Sequence, residues 1–444
     1  MVKIPFIGLI CLSGWLSVVA QTDTIKLPDN AKKGWTFGAL PAVSYNSDLG
    51  FQYGGIVNFF HYGNGENYPK YNHSLYLEIS RYTKGSGINR FFYDSEKLIP
   101  NLRITTDISW LTDKALDFYG FNGYEAVYNP EWEDENNPKY KSRVFYRHDR
   151  DIFRIMTDLQ GSFKNTNIRW LAGVAFMNYK TAPVDIEALN KKKDKEDPLP
   201  NVPGLYDNFI EWGIIKQTGN NGDWINNLKV GIVYDTRDFE ANPMKGIWSE
   251  MLFFGNPING LTDEPFTKIS ITHRQYFTLK PDKLAIAIRL NYQGTISGKV
   301  PFYMQPYIIS SFTNTSNSDG LGGSRTIRGV LRNRVVGDGI VLTNLEGRWK
   351  FWHTKLFKQN VYFGLNAFWD SGKVVKNIKV DTSNVPEDQY QFYFDDKAEQ
   401  LHHSLGGGLR LVMNENFIVA VDYGIPLDKR DGTSGLYVGL NFLF

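Results

Sequence analysis

The C-terminal stretch 435–444 places Leu436, Val438, Leu440, Phe442 and Phe444 on one side of an extended chain and Tyr437, Gly439 and Asn441 on the other. Successive side chains of a strand point to opposite faces, so the segment has an entirely apolar face beside a mixed one. The stretch 402–413 repeats the pattern. His403, Leu405, Gly407, Leu409 and Leu411 alternate with Ser404, Gly406, Gly408 and Arg410, and charge is confined to the second face. Segments of about ten residues, apolar toward lipid and polar toward a lumen, are what a membrane-spanning β-barrel requires. On this reading Phe442 and Phe444 meet lipid with the other apolar residues of the last strand.

The same pattern, punctuated by turn residues, predicts strands at 35–46, 50–60, 72–82, 87–97, 102–121, 151–163, 167–179, 227–235, 246–255, 266–279, 283–296, 339–351, 360–369, 402–413, 416–425 and 435–444. These sixteen strands would form an antiparallel barrel closed between the first and the last. An even number suits a bacterial barrel with both ends on one side. The connections alternate in length as that topology demands. Lys164-Asn165-Thr166, Lys280-Pro281-Asp282 and Asn414-Glu415 are short enough for periplasmic turns, whereas 122–150, 180–226, 297–338 and 371–401 suit outer loops. The connection 61–71 is long for a periplasmic turn. Charged runs at 131–135 and 191–197 fall in two outer loops and read as solvated tips, with a calcium or lipopolysaccharide contact as the alternative.

Composition removes other classes. Aromatic residues make up 15% of the chain beside 41 glycines, and outside the N-terminus no stretch approaches the roughly 20 apolar residues of a spanning helix. A hydrophobic fraction of 42% excludes disorder, and a net charge of +2 gives no footing for nucleic acid. At the N-terminus, Lys3 precedes an apolar run ending in Val18-Val19-Ala20, which reads as an export signal over 1–20 cut after Ala20. Residues 21–34 form a short polar lead, and 35–444 the barrel. Cys11 is the only cysteine and would leave with the signal, excluding disulfides, thiol catalysis and thiolate metal sites in what remains. His402-His403 invites a metal reading, but neighbours on a strand face opposite ways and no suitably spaced Cys or His joins them.

The segment 320–333 reads Gly-Leu-Gly-Gly-Ser-Arg-Thr-Ile-Arg-Gly-Val-Leu-Arg-Asn. It resembles the loop-six signature of the BamA/TamA (bacterial surface antigen) superfamily of outer-membrane barrels, with Ile327, Arg328 and Gly329 followed by Val330 where the family usually has an aromatic residue. Further matches follow the family's order. Asp235, Thr236, Arg237, Pro243 and Gly246 resemble its periplasmic strand-turn-strand motif, Asn344 to Arg348 the strand after the loop, and Phe368 to Gly372 its Phe-x-Asp-x-Gly motif. The terminal Phe444 resembles the signal that the barrel-assembly machinery reads on its clients. The resemblance implies a loop folded into the lumen, location in the Gram-negative outer membrane, and a part in assembly, insertion or translocation of outer-membrane proteins within a complex. Candidate partners are outer-membrane lipids, lipopolysaccharide, the assembly machinery, lipoproteins and other envelope proteins. The lead 21–34 is too short for even one POTRA domain, so a barrel-only member is expected.

The central motif also has a physical reading. A loop arginine inside a barrel loses hydration, which is tolerable where carboxylates meet the guanidinium. Glu346 and Asp370 are on the next two strands, and if both point inward, as parity with the family implies, they are expected to hold Arg328, with Gly372 beside them. Asp235, Arg237 and Asp238 read equally as a surface ion-pair cluster. No hydrolase elbow, zinc helix or phosphate loop is present, so no enzyme, cofactor or metal is expected. Two other functions stay open: a passive pore or lipid/solute conduit, and a scaffold whose loop aromatics Trp132, Tyr140, Phe145 and Tyr146 bind a surface partner. Pro41 in the first strand and Pro426 after the fifteenth suggest a short or labile closure, and a simple loop boundary explains Pro426 equally well.

Overall fold

A computed structural model describes residues 32–68, 70–191, 198–256, 264–312, 319–356, 359–396, 399–413, 417–440 and 442–444. The expected signal 1–20, most of the lead, the turn 414–415 and most of the charged run 191–197 lie outside the described residues. The strands are β1 (Trp35–Pro41), β2 (Ser44–Asn46), β3 (Gly50–His61), β4 (His73–Tyr82), β5 (Gly87–Ile99), β6 (Leu102–Asp117), β7 (Arg147–Ser162), β8 (Ile168–Ala182), β9 (Asp223–Asp235) and β10 (Gly246–Asn256). They continue as β11 (Phe266–Lys280), β12 (Leu284–Gly298), β13 (Gly339–Leu356), β14 (Gln359–Lys376), β15 (His402–Met413), β16 (Phe417–Pro426) and β17 (Gly435–Leu440). Helices are short: α1 (Ile186–Asn190), α2 (Leu205–Glu211) and α3 (Tyr390–Tyr393).

Each strand from β3 to β17 pairs antiparallel with the next, and β17 pairs with β2, closing the ring. β1 and β2 are two pieces of one stave, both paired with β3, so the barrel has sixteen staves. The break falls after Pro41, whose nitrogen has no hydrogen to give to a ladder. The period-two pattern sorts the faces. Leu345, Trp349, Leu365, Trp369, Leu405 and Leu409 are exposed, whereas Asn344, Glu346, Arg348, Asn366, Asp370, Ser404 and Arg410 are buried. Polar residues therefore line the inside of the ring and apolar ones its outer belt.

Two expectations are corrected. β14 runs on to Lys376, past the expected end at 369, so Asp370, Ser371 and Gly372 are strand residues paired with β13 and β15. At the C-terminus β17 ends at Leu440. Phe444 is buried against Tyr276 and Ala287, and Phe442 packs against Tyr362, Val412 and Ile418. Both rings pack on buried, inward-facing residues, because the chain has left the ladder that enforces alternation.

The connection between β12 and β13 is built into the barrel. At the long-loop end Tyr303 Oη donates to Asp223 at 3.2 Å. Further along, Gln293 donates to the Tyr307 carbonyl at 2.7 Å, Lys229 to that of Ser310 at 3.1 Å, and Ser311 N–H to Glu250 at 2.9 Å. Phe312 stacks on Trp248 near the short-turn end of β10, with centroids 5.0 Å apart. Residues 303–312 thus follow the inward faces of β9 to β12 from one end of the strands to the other. Over the long-loop end, Tyr119, Trp132, Tyr146, Phe209, Trp212 and Tyr393 form an aromatic core shared by the loops 118–146, 183–222 and 377–401.

Candidate functional site: the Arg328 clamp and the strand seam

The segment 320–335 is a hairpin. Leu321 and Val335 exchange main-chain bonds at 2.9 and 3.1 Å, and Gly323 N–H donates to the Val330 carbonyl at 2.8 Å. The Thr326 hydroxyl closes the bend by accepting from Gly322 N–H at 2.8 Å. This leaves Ile327, Arg328 and Gly329 at the tip. Leu321, Ile327, Val330 and Val335 pack on Ile340, Leu342 and Val374 of β13 and β14. Val330, where the resemblance has an aromatic, is fully buried there.

Arg328 is fully buried and its donors are aimed at carboxylates. Nε and Nη2 donate to the two oxygens of Asp370 at 2.8 and 2.9 Å, and the Arg328 main-chain N–H adds a third bond at 3.1 Å. Nη1 lies 2.7 Å from Glu346 and 3.5 Å from Asp422. The guanidinium rests on the Phe368 ring at 3.5 Å, and Asn344 bridges the Asp370 carboxylate and the Thr326 carbonyl at 2.7 Å each. Fork geometry on Asp370, ring stacking and facing carboxylates are what a desolvated guanidinium needs, although Arg328 Nη1 and Glu346 Oε1 make an ion pair without a hydrogen bond.

Two glycines make the approach possible. A Cβ on Gly372 would stand 2.8 Å from both the Ile327 and Leu321 methyls, so its absence makes room for the tip. Gly329 takes φ +96° with its Cα against the Gly424 backbone, and a Cβ on Gly424 would land on the Arg328 carbonyl.

Sequence reasoning placed Arg328, Glu346, Asp370 and Gly372 but missed Asp422 and the arginines behind it. Asp422 accepts from both Arg410 Nη atoms at 2.9 Å. Its signal was available, since it is a charged residue flanked by the outward pair Val421 and Tyr423. Arg348 Nε donates to Glu346 at 2.8 Å, and its Nη2 donates to the Phe444 main-chain oxygen at 2.8 Å.

The turn residues form a separate cluster between β9 and β10. Arg237 grips Asp235 with two bonds at 2.9 and 2.8 Å, and Arg169 of β8 adds a third at 3.1 Å. The Thr236 hydroxyl accepts from Ile247 N–H at 3.0 Å, and Gly246 takes φ +103° where a side chain would strike the Thr236 carbonyl. Asp238 accepts from Phe239, Met244 and Lys245 N–H, closing the turn that contains Pro243. His402 turns inward to Asp431 at 2.7 Å, whereas His403 stacks on outward Trp369. Among the described residues no group of three acidic, His or Cys side chains could hold a metal.

The seam between β17 and β2 has two registered pairs, Tyr437 with Asn46 and Val438 with Tyr45. Ser47 extends it, with N–H donating to the Leu436 carbonyl at 3.0 Å and its hydroxyl accepting from Leu436 N–H at 2.8 Å. Among the described residues β1 has a ladder with β3 and none with β17.

A closed antiparallel ring with a polar inside, an apolar belt and a hairpin pinned to its inner wall defines a membrane-spanning β-barrel. The Omp85 superfamily domain matches residues 50–444, and the chain belongs to the Omp85 superfamily. BamA from Haemophilus ducreyi lacking POTRA domains 1–3 is similar in structure, at 16% identity and a TM-score of 0.52, covering 93% of this chain and 71% of that one. CdiB from Escherichia coli is similar at 11% identity and a TM-score of 0.54, covering 92% of this chain and 62% of that one. No curated protein matches the sequence.

Proposed function

We propose that this barrel resides in the Gram-negative outer membrane and takes part in inserting or translocating other outer-membrane proteins through the β2–β17 seam. The seam is the observation that carries the reading. Among the described residues, neighbouring staves elsewhere share six pairs or more, while β17 and β2 share two and β1 is laddered to β3 alone. In lipid, unpaired backbone N–H and C=O groups have no water to satisfy them, so an open strand edge is the place where an incoming strand gains most by pairing. The likeness to BamA and CdiB gives the fold, and the role assigned here rests on the seam. The clamp at Arg328 would fix the hairpin against β13, β14 and β16 and hold the wall beside the seam in shape. The reading assigns the protein no chemical step; its partners would be lipids and lipopolysaccharide around the belt, with assembly-machinery or lipoprotein components in the periplasm.

A passive conduit is less supported, because 303–312 runs along the inside of the ring. A scaffold reading loses its aromatic anchors, since Trp132, Phe145 and Tyr146 are buried in the loop core. The test is quantitative proteomics of purified outer membranes after conditional depletion. Several unrelated barrels or surface lipoproteins should fall together before growth stops; an unchanged membrane proteome overturns the proposal.

A further inference from the structure

Among the described residues no hydrogen bond, ion pair or ring contact joins the tail 442–444 to the hairpin tip 327–329, yet they lean on the same charged groups. Glu346 lies between Arg328 Nη1 at 2.7 Å and Arg348 Nε at 2.8 Å. Arg348 in turn donates to the Phe444 main-chain oxygen at 2.8 Å and lies over the Phe442 and Phe444 rings at 4.4 and 5.0 Å. Asp422 repeats the arrangement, between Arg328 Nη1 at 3.5 Å and Arg410, which lies 5.2 Å from the Phe442 ring. Arg289 makes a third bridge, its Nη2 donating to the hairpin's Arg325 carbonyl at 3.2 Å and its guanidinium lying 5.1 Å from the Phe444 ring.

We propose that Arg348 and Arg410, through Glu346 and Asp422, couple the docked hairpin to the docked tail, so that loosening either one loosens the other. Charges in a water-poor interior are held by their partners rather than by solvent. Glu346 and Asp422 each face Arg328 while bonding a second arginine, and withdrawing Arg328 leaves them free to draw Arg348 and Arg410 away from the tail. The coupling concerns the barrel itself and stands apart from the identity of any client.

The test places one reporter cysteine at Leu443, which packs beside Phe444, in full-length protein with Cys11 replaced by serine. The rate of maleimide labelling in detergent reads tail exposure. Arg328→Gln should speed labelling by about 5-fold to 150-fold, the usual range of coupling between sites, although Arg328 does not contact the tail. Arg334→Gln is the control. Arg334 also belongs to the hairpin but donates to the Gly123, Ala126 and Arg430 carbonyls, and its loss should leave the rate within about twofold. If Arg328→Gln does not fold, Glu346→Gln serves in its place. The coupling is also reciprocal: Phe444→Ala should speed labelling of Ser324→Cys on the hairpin. A parental rate in Arg328→Gln or Glu346→Gln, an equal acceleration in Arg334→Gln, or no response of Ser324→Cys to Phe444→Ala overturns the proposal.

Discussion

Arg328 and Asp370 are joined by three hydrogen bonds, two from the guanidinium and one from the Arg328 main chain. The residues are far apart in sequence, so the pair fixes both the position and the orientation of the hairpin tip. Removing the guanidinium would take two bonds from buried Asp370, leaving it the Asn344 side chain, and would leave buried Glu346 with Arg348. Arg328→Ala is expected to cost about 3–5 kcal/mol, lowering the temperature at which the barrel loses its folded mobility on semi-native gels. An unchanged transition would contradict the clamp. Arg328→Lys should fall between, since an ammonium cannot grip two oxygens as a fork.

The close approach of Gly424 to the Arg328 carbonyl predicts a contrast between glycines on adjacent strands. Gly424→Ala places a methyl on main-chain atoms that cannot rotate away. Gly407→Ala, on β15, puts its methyl 3.3 Å from the Asn366 carbonyl, a contact relieved by a shift of a few tenths of an ångström. The first substitution should destabilise by about 1–3 kcal/mol and the second by much less. Thermal unfolding of the two purified variants checks the order, and equal melting temperatures would deny the tight contact.

Glu133, in the loop 118–146, gives the outer cap a pH dependence. Burial pushes its carboxyl up to about 7, with Asp117 adding to the shift while Arg147 and the Tyr128 hydroxyl oppose it. A carboxyl with a raised folded-state pKa binds its proton more tightly in the folded protein than in the unfolded chain. The cap is therefore favoured as pH falls through about 7 toward the ordinary carboxylate range, and that advantage is lost as pH rises through about 7. Limited proteolysis of the 118–146 loop should be faster at pH 8 than at pH 6, and Glu133→Gln should remove most of the difference. A wild-type rate independent of pH would refute the assignment.

The barrel was legible because the constraint that builds it, alternating contact with lipid and lumen, acts on every second residue of each strand. Arg328, Glu346 and Asp370 were legible because the motif and the inward parity of their strands agree. The seat of Phe442 and Phe444 was not. Alternation places them outside, and nothing local signals that the ladder ends at Leu440; their burial depends on arginines from three different strands. The path of 303–312 was hidden for a similar reason, since an extended segment bonded by scattered polar side chains carries no period of its own. Pro41 did point to the broken first stave, because a residue without an N–H interrupts a ladder.

If other outer-membrane proteins pass through the β2–β17 seam it must open, and a reversible lock across it tests this directly. Tyr45 and Val438 are register partners across the seam, so Tyr45→Cys with Val438→Cys, in a chain carrying Cys11→Ser, can be joined by oxidation. In cells depleted of the native protein, the oxidised barrel should fail to sustain the levels of other outer-membrane barrels, and reductant should restore them. An oxidised, fully cross-linked barrel that sustains those levels as well as the parent would contradict the account.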